Sequence, residues 1–152
     1  MNQRFIVTKE HRRFTEFANA VRRGHTIGLC FGPAGVGKTL SASRYARWDQ
    51  TNDLLTDWGP RTEDDANVYA ALAKSRTVLY TPSVLTTPRT FQEELHEVVT
   101  RTNSCIEQHL HPVGQGPIVT SRKRHFENYV QLIIVDESER LRATALELLR
   151  DR

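Results

Sequence analysis

The sequence predicts an α/β fold, a three-layer αβα arrangement around a parallel sheet, and three observations carry that prediction. Residues Gly32-Pro33-Ala34-Gly35-Val36-Gly37-Lys38-Thr39 fill the pattern G-x-x-x-x-G-K-[ST], placed between an apolar run and a helical pattern. Tyr129-Val130-Gln131-Leu132-Ile133-Ile134-Val135 is a near-continuous apolar run, the mark of a parallel strand covered on both faces, and it closes in Asp136-Glu137. Between these two stretches, segments of helical and strand periodicity follow one another.

At 152 residues the chain fits one domain long enough to bury a core. Its 38% apolar and 26% charged residues are those of an ordinary globule, which excludes the disordered and fibrous classes. No run of about eighteen apolar residues occurs, so no membrane span is expected. Met1-Asn2-Gln3-Arg4-Phe5 lacks the apolar core of a secretory signal, and a cytoplasmic location is the default expectation. Cys30 and Cys105 make no disulfide framework and read as reduced thiols. A net charge of +3 permits nucleic-acid binding but is too mild to argue for it.

Taken in order, Thr8 is a plausible N-cap for a helix whose Phe14, Phe17, Ala18 and Val21 recur at helical spacing, with Gly24 as its stop. Thr26 to Phe31 reads as a short buried strand feeding the glycine-rich loop. From Gly37 a helix is expected to about Trp48, burying Leu40, Ala42, Tyr45 and Ala46. Asp49 to Arg61, with Asn, Asp, Gly and Pro, reads as a loop or insertion. A short helix follows, capped by Thr62 and packing Ala66, Ala70 and Ala73. Arg76 to Thr81 is a second strand, halted by Pro82. Thr90 with Glu93 forms a capping box for a helix burying Phe91, Leu95, Val98 and Val99. Thr102 to Asn128 loses periodicity and reads as a long excursion. After the Asp-Glu strand, a last helix from near Ser138 shows Leu141, Ala145, Leu148 and Leu149 at helical spacing.

The glycine-rich stretch is a phosphate-binding loop. Its glycines let the backbone curl so that successive N–H groups point at a nucleotide's phosphates. Lys38 reaches the β and γ oxygens, and the Thr39 hydroxyl is placed for Mg²⁺. The following helix adds its positive dipole end. An acidic pair at an apolar strand's end reads as the second half of an ATPase site, with Asp136 holding the metal and Glu137 polarising the attacking water. The candidate catalytic residues are therefore Glu137 and Lys38. The nucleotide would be held by Gly32, Pro33, Ala34, Gly35, Val36, Gly37, Lys38 and Thr39, and the metal by Thr39 and Asp136. No N-K-x-D base-reading motif or L-S-G-G-Q signature occurs, which argues against a GTPase or a transporter-type ATPase. Arg122-Lys123-Arg124-His125, beside Phe126 and Tyr129, reads either as a solvated loop or as a nucleic-acid contact. Thr81 and Ser83 are candidates for holding Glu137 until a partner binds. Cys105, His109 and His111 lack a fourth ligand at zinc spacing.

With Gly32 to Thr39 and Leu132 to Leu141 in hand, the chain resembles the AAA+ superfamily of P-loop NTPases. Within it the chain is similar to the MuB/TnsC/TniB-like ATP-binding regulators of mobile elements. Val7 to Phe14, Leu79 to Ser83 and Leu146 to Asp151 support that branch. The resemblance implies two parts: a lead-in at 1–25, and at 26–152 the N-terminal part of a P-loop ATPase domain with insertions near 49–76 and 102–128. It implies ATP and Mg²⁺ as cofactors, a ring or filament of identical subunits, and duplex DNA and a transposase as partners. Arg122, Lys123 and Arg124 would then face the DNA. A complete module of that family has five parallel strands, one of them inserted between the phosphate-loop strand and the Asp-Glu strand. This chain supplies three strand patterns, so an incomplete sheet is expected, from a truncated reading frame or a shortened chain. Hydrolysis by these residues alone is expected to be weak or absent. Two other readings stand beside the transposition regulator: a nucleotide-dependent switch or scaffold acting on proteins without DNA, and a small-molecule phosphotransferase.

Overall fold

The computed structural model describes residues 6–112 and 127–150. Four helices come first: α1 (Lys9–Gly24), α2 (Lys38–Ala46), α3 (Trp48–Thr56) and α4 (Ala66–Ser75). Strand β1 (Thr77–Tyr80), helix α5 (Pro88–Leu110), strand β2 (Leu132–Val135) and helix α6 (Ala143–Arg150) complete the order.

β1 and β2 pair in parallel, with Thr77 opposite Leu132 and Tyr80 opposite Val135. Alternate side chains leave a strand on opposite faces. On one face Leu79 and Ile134 meet Ala42 and Ala46 of α2, with Phe14 of α1 and Trp48 beside them. On the other, Val78, Tyr80, Ile133 and Val135 pack under Phe91 and Leu95 of α5 and Leu141 and Ala145 of α6. Cover on both sides is why these strands read as unbroken apolar runs. The three-layer arrangement is therefore present, around a sheet of two strands among the described residues. Beyond the sheet, Leu55, Tyr69, Leu72, Cys105, Ile106 and Tyr129 join α3, α4 and the far half of α5 in a second core.

The segment expected to be the strand feeding the glycine-rich loop is not one. Residues 26–31 have no regular secondary structure, and Ile27, Leu29 and Phe31 are 75%, 74% and 85% exposed. A strand is held by ladder hydrogen bonds to a neighbour, and β2 has β1 on one side with no described element inserted on the other. The segment lies instead against α1. A Cβ on Gly28 would fall 2.5 Å from Val21 Cγ2 and 2.6 Å from Phe17 Cζ, so only glycine allows this approach.

Four further expectations are corrected. Asp49 to Arg61 is not all loop: α2 stops where Arg47 turns left-handed (φ 55°), and α3 follows, burying Thr51 and Leu55. α5 starts earlier, at an N-cap Thr87 whose hydroxyl accepts from Thr90 N at 3.1 Å, with Pro88 at the first helical position. It also runs on to Leu110, well into the stretch read as aperiodic. Leu40, expected in the core, is 59% exposed. The Thr8 cap stands as read, its hydroxyl accepting from His11 N at 3.1 Å. Leu141 and Ala145 are buried as their spacing predicts, though Ser138–Arg140 is a separate 3₁₀ turn and α6 begins at Ala143.

Candidate nucleotide site

The glycine-rich loop owes its shape to two left-handed glycines, Gly35 (φ 81°) and Gly37 (φ 83°). Nothing lies within 4 Å of where a Cβ would stand on either, so the backbone of the loop is open to an incoming group. Gly37 is also the N-cap of α2 and offers no side chain to its first N–H groups, which leaves them for an anion. Lys38 folds back over the loop, its Nζ donating to Gly32 O and Pro33 O, each at 2.8 Å. Thr39 is exposed one residue further on.

Beside the loop lies a cleft of about 280 Å³. Phe14 and Phe17 of α1, with Leu29, Phe31 and Val36, form its apolar walls, while Glu10, Arg13, Lys38 and Ser41 supply polar groups. Sequence reading placed Phe14 and Phe17 in a core stripe and Phe31 in a strand, and so missed this cleft. The signal was present in the proximity of an aromatic stripe to the loop, but its meaning depends on the segment 26–31 lying on α1.

The other half of the site stands at the end of β2. Asp136 N donates to Tyr80 O at 2.9 Å, extending the ladder by one residue and holding Asp136 at the strand's edge. Its Oδ1 accepts from Glu137 N at 3.1 Å, whereas its Oδ2 is buried without a hydrogen-bond partner. An unsatisfied buried carboxylate oxygen is costly unless something else completes it. A hard, oxygen-seeking cation would do so, and with the hydroxyl of Thr39 this is a donor set that fits Mg²⁺. Glu137 takes a left-handed conformation (φ 51°), rare for a residue with a side chain, and opens the Ser138–Arg140 turn. Its Oε2, also buried, has an ion pair with Arg140 rather than an aligned hydrogen bond. Arg140 is a residue that sequence reasoning did not single out.

The two halves sit on elements packed together. Ile134, two residues before Asp136, lies against Ala42 and Ala46, which are about one and two turns along the helix that Lys38 opens. Among the described residues no hydrogen bond or ion pair joins the loop to Asp136 or Glu137. Ser83 does not hold Glu137, since its hydroxyl pairs with that of Thr86 at 2.9 Å. Arg122, Lys123 and Arg124 lie outside the described residues.

Comparison with known protein families matches residues 21–152 to the family described as AAA domain. A curated relative from Staphylococcus aureus, named potential ATP-binding protein, is 33% identical over 98% of this chain. The alignment takes in 54% of that relative, so the chain spans about half the length of the curated protein it matches. No solved structure matches. Among the described residues no helix is long and apolar enough to cross a membrane.

Proposed function

The chain belongs to the AAA domain family, and from that premise we propose that it binds ATP with Mg²⁺ and, as part of its full-length protein, hydrolyses it to ADP and phosphate. The observation that carries the reading is the open loop of Gly35 and Gly37 at the start of α2, beside a cleft of about 280 Å³ with apolar walls. Phosphate oxygens would replace Gly32 O and Pro33 O as acceptors of the Lys38 ammonium. The uncapped N–H groups of α2 would face the same oxygens. Phe14, Phe17 and Phe31 would shelter the base from water. Thr39 and Asp136 would hold Mg²⁺, which when bound neutralises charge on the phosphates. Glu137 would orient the attacking water and draw on its proton.

We further propose that the full-length protein is a regulator of DNA transposition, assembling as a homo-oligomer on duplex DNA in an ATP-dependent way and acting with a transposase. The support is the resemblance of its motifs to the mobile-element regulators and the basic run at Arg122, Lys123 and Arg124 beside an aromatic. The test is ATP binding and hydrolysis by the full-length protein with and without duplex DNA, beside Glu137→Gln. DNA-stimulated hydrolysis that vanishes in Glu137→Gln is expected. Binding and rate both indifferent to DNA would replace this reading with that of a switch acting on proteins.

A further inference from the structure

The net charge of +3 hides a division along the chain. Residues 6–50 hold eight Lys or Arg against three Asp or Glu, whereas residues 51–112 hold five against nine, so opposite charge gathers on different elements. The basic face is on α1. Helical spacing turns Lys9, Arg12 and Arg23, with Glu16 among them, away from the buried Ala18, and all four are exposed. The helix is held to α2 by other residues: Phe14 meets Tyr45 edge-on, with ring centroids 6.3 Å apart, and Asn19 Oδ1 accepts from Tyr45 OH at 2.7 Å. The acidic face lies at the end of α3 and just past it, where Asp53, Asp57, Glu63 and Asp64 are exposed. This shelf is fixed in place. Arg101 Nη1 donates to Leu55 O at 2.6 Å and to Thr56 O at 3.2 Å, and Thr62 N donates to Asp65 Oδ2 at 2.9 Å. Between Asp57 and Glu63 stands Trp58, 41% exposed, with the guanidinium of Arg61 4.0 Å from its ring centre and that of Arg101 at 5.5 Å. Among the described residues no ion pair involves Lys9, Arg12 or Arg23, nor Asp53, Asp57, Glu63 or Asp64.

We propose that the solvent face of α1 docks on the acidic shelf around Trp58 of a second copy of this chain, in a contact that needs no nucleotide. Neither face includes the phosphate loop, Asp136 or Glu137, so the inference stands apart from the reading of the nucleotide site. Charge complementarity selects the occupant. The two faces carry opposite sign and do not pair within one copy, whereas a second copy offers each face its match. Duplex DNA would suit α1 but would be repelled by the shelf. Trp58 supplies an aromatic anchor of the kind that concentrates binding energy at an interface, and the charges around it fix partner and register. Because unlike faces meet, each copy in a pair keeps one face open for the next, and the contact repeats into a ring or a filament.

The experiment is sedimentation velocity on the full-length protein without nucleotide or DNA, over a concentration series at low and at high salt. Exposed charges are screened by salt, so self-association is expected to weaken by about tenfold between 50 mM and 500 mM NaCl. Arg12→Glu with Arg23→Glu reverses the basic face, and Asp57→Lys with Asp64→Lys reverses the shelf. Each double variant alone sets like charges against each other and is expected to associate about tenfold more weakly than wild type. An equimolar mixture of the two is expected to regain association to within about threefold of wild type, because every contact between unlike variants is again complementary. Trp58→Ala is expected to weaken association at either salt concentration. A protein that stays monomeric at low salt overturns the contact, and so does association indifferent to salt, which needs no variant to fold. Reversed variants that associate like wild type, or a mixture that regains nothing, overturn it as well. Reversal of α1 that weakens duplex DNA binding while leaving self-association unchanged would give the face to DNA instead.

Discussion

Two stretches of this chain, Thr26 to Phe31 and Leu132 to Val135, have the same apolar character, and each leads directly into one half of the proposed site. They end up in opposite surroundings. Leu132 to Val135 pairs with β1 and is packed by α2 on one face and by α5 and α6 on the other. Among the described residues Thr26 to Phe31 has no ladder partner and leaves three large apolar side chains exposed. What differs is the neighbour rather than the local sequence. β-propensity describes how well a residue fits a paired, half-buried surface, and it has no effect where no such surface is offered. The consequence for function is that Asp136 and Glu137 stand at the end of a fixed strand. The phosphate loop is held by α2 and by the contact of Gly28 with α1.

The comparison can be tested first through stability, where the largest effect is expected. Phe91 is 1% exposed, packs under the sheet and meets Tyr80 edge-on, with ring centroids 5.4 Å apart. Phe91→Ala is expected to cost about 3–5 kcal/mol. Phe31, 85% exposed, has no such packing to lose, and Phe31→Ala is expected to change stability by less than about 0.5 kcal/mol. Urea denaturation of both variants checks this. Equal losses would mean that residues 26–31 are buried in solution and that the contrast between the two runs is mistaken.

Next in size is Lys38→Ala, which removes a charged donor from the loop without touching a core contact. It should weaken ATP binding by about 10- to 100-fold. Its two hydrogen bonds to Gly32 O and Pro33 O are exposed to solvent, so the unfolding midpoint without nucleotide should hardly move. An unchanged Kd would remove the loop from the nucleotide site.

How far these surroundings were legible in the sequence depended on whether the deciding partner was local. The Thr8 cap is decided within one turn and was legible, and so were the burial of Leu141 and Ala145 and the parallel character of β2. α3 was passed over because Asn52, Asp53 and Asp57 suggest a loop. Its buried pair, Thr51 and Leu55, is spaced by one turn, and Thr51 hides its hydroxyl by donating to Arg47 O at 3.2 Å. The far half of α5 was missed for the same reason, since its stripe is Thr102, Cys105 and Ile106, with Thr102 Oγ1 donating to Val98 O at 2.8 Å. A threonine bonded to the preceding turn packs as an apolar residue, and a hydropathy pattern does not count it. Thr87-Pro88 was the better start signal for α5 and lay three residues before the one preferred. The curled backbone at Gly35 and Gly37 was legible because the motif is contiguous. The cleft and the Arg140 contacts were not, because each depends on segments far apart in sequence.

A third prediction concerns pH and the packed strand alone. Burial, and then the hydrogen bond to Glu94 at 2.6 Å, raise the Tyr80 hydroxyl to about 12. The folded state therefore binds this proton more tightly than the unfolded chain does. The stabilisation is whole below about pH 10 and is lost as pH rises from there through about 12. Wild type should lose stability over that window more steeply than Tyr80→Phe, as urea midpoints at successive pH values would show. Parallel pH curves would mean that the hydroxyl is not held by Glu94.

The two cysteines report on the contrast without any mutation. Cys105 is buried in the second core, and burial pushes its thiol up to about 11, so at pH 8 only about one molecule in a thousand carries the reactive thiolate. Cys30 is exposed in the unpaired run and lines the cleft beside Lys38. Iodoacetamide at pH 8 should modify Cys30 and spare Cys105, as peptide mass spectrometry would read. ATP should slow the reaction at Cys30 if the base occupies the cleft of Phe14, Phe17 and Phe31. Binding of ATP with no slowing would keep the phosphate loop in the site but move the base elsewhere. Protection of Cys30 without nucleotide, when the same residues are labelled in the full-length protein, would show that the run gains a neighbour there. Thr26 to Phe31 would then be a strand after all, and the difference between the two runs would belong to these residues in isolation rather than to the working protein.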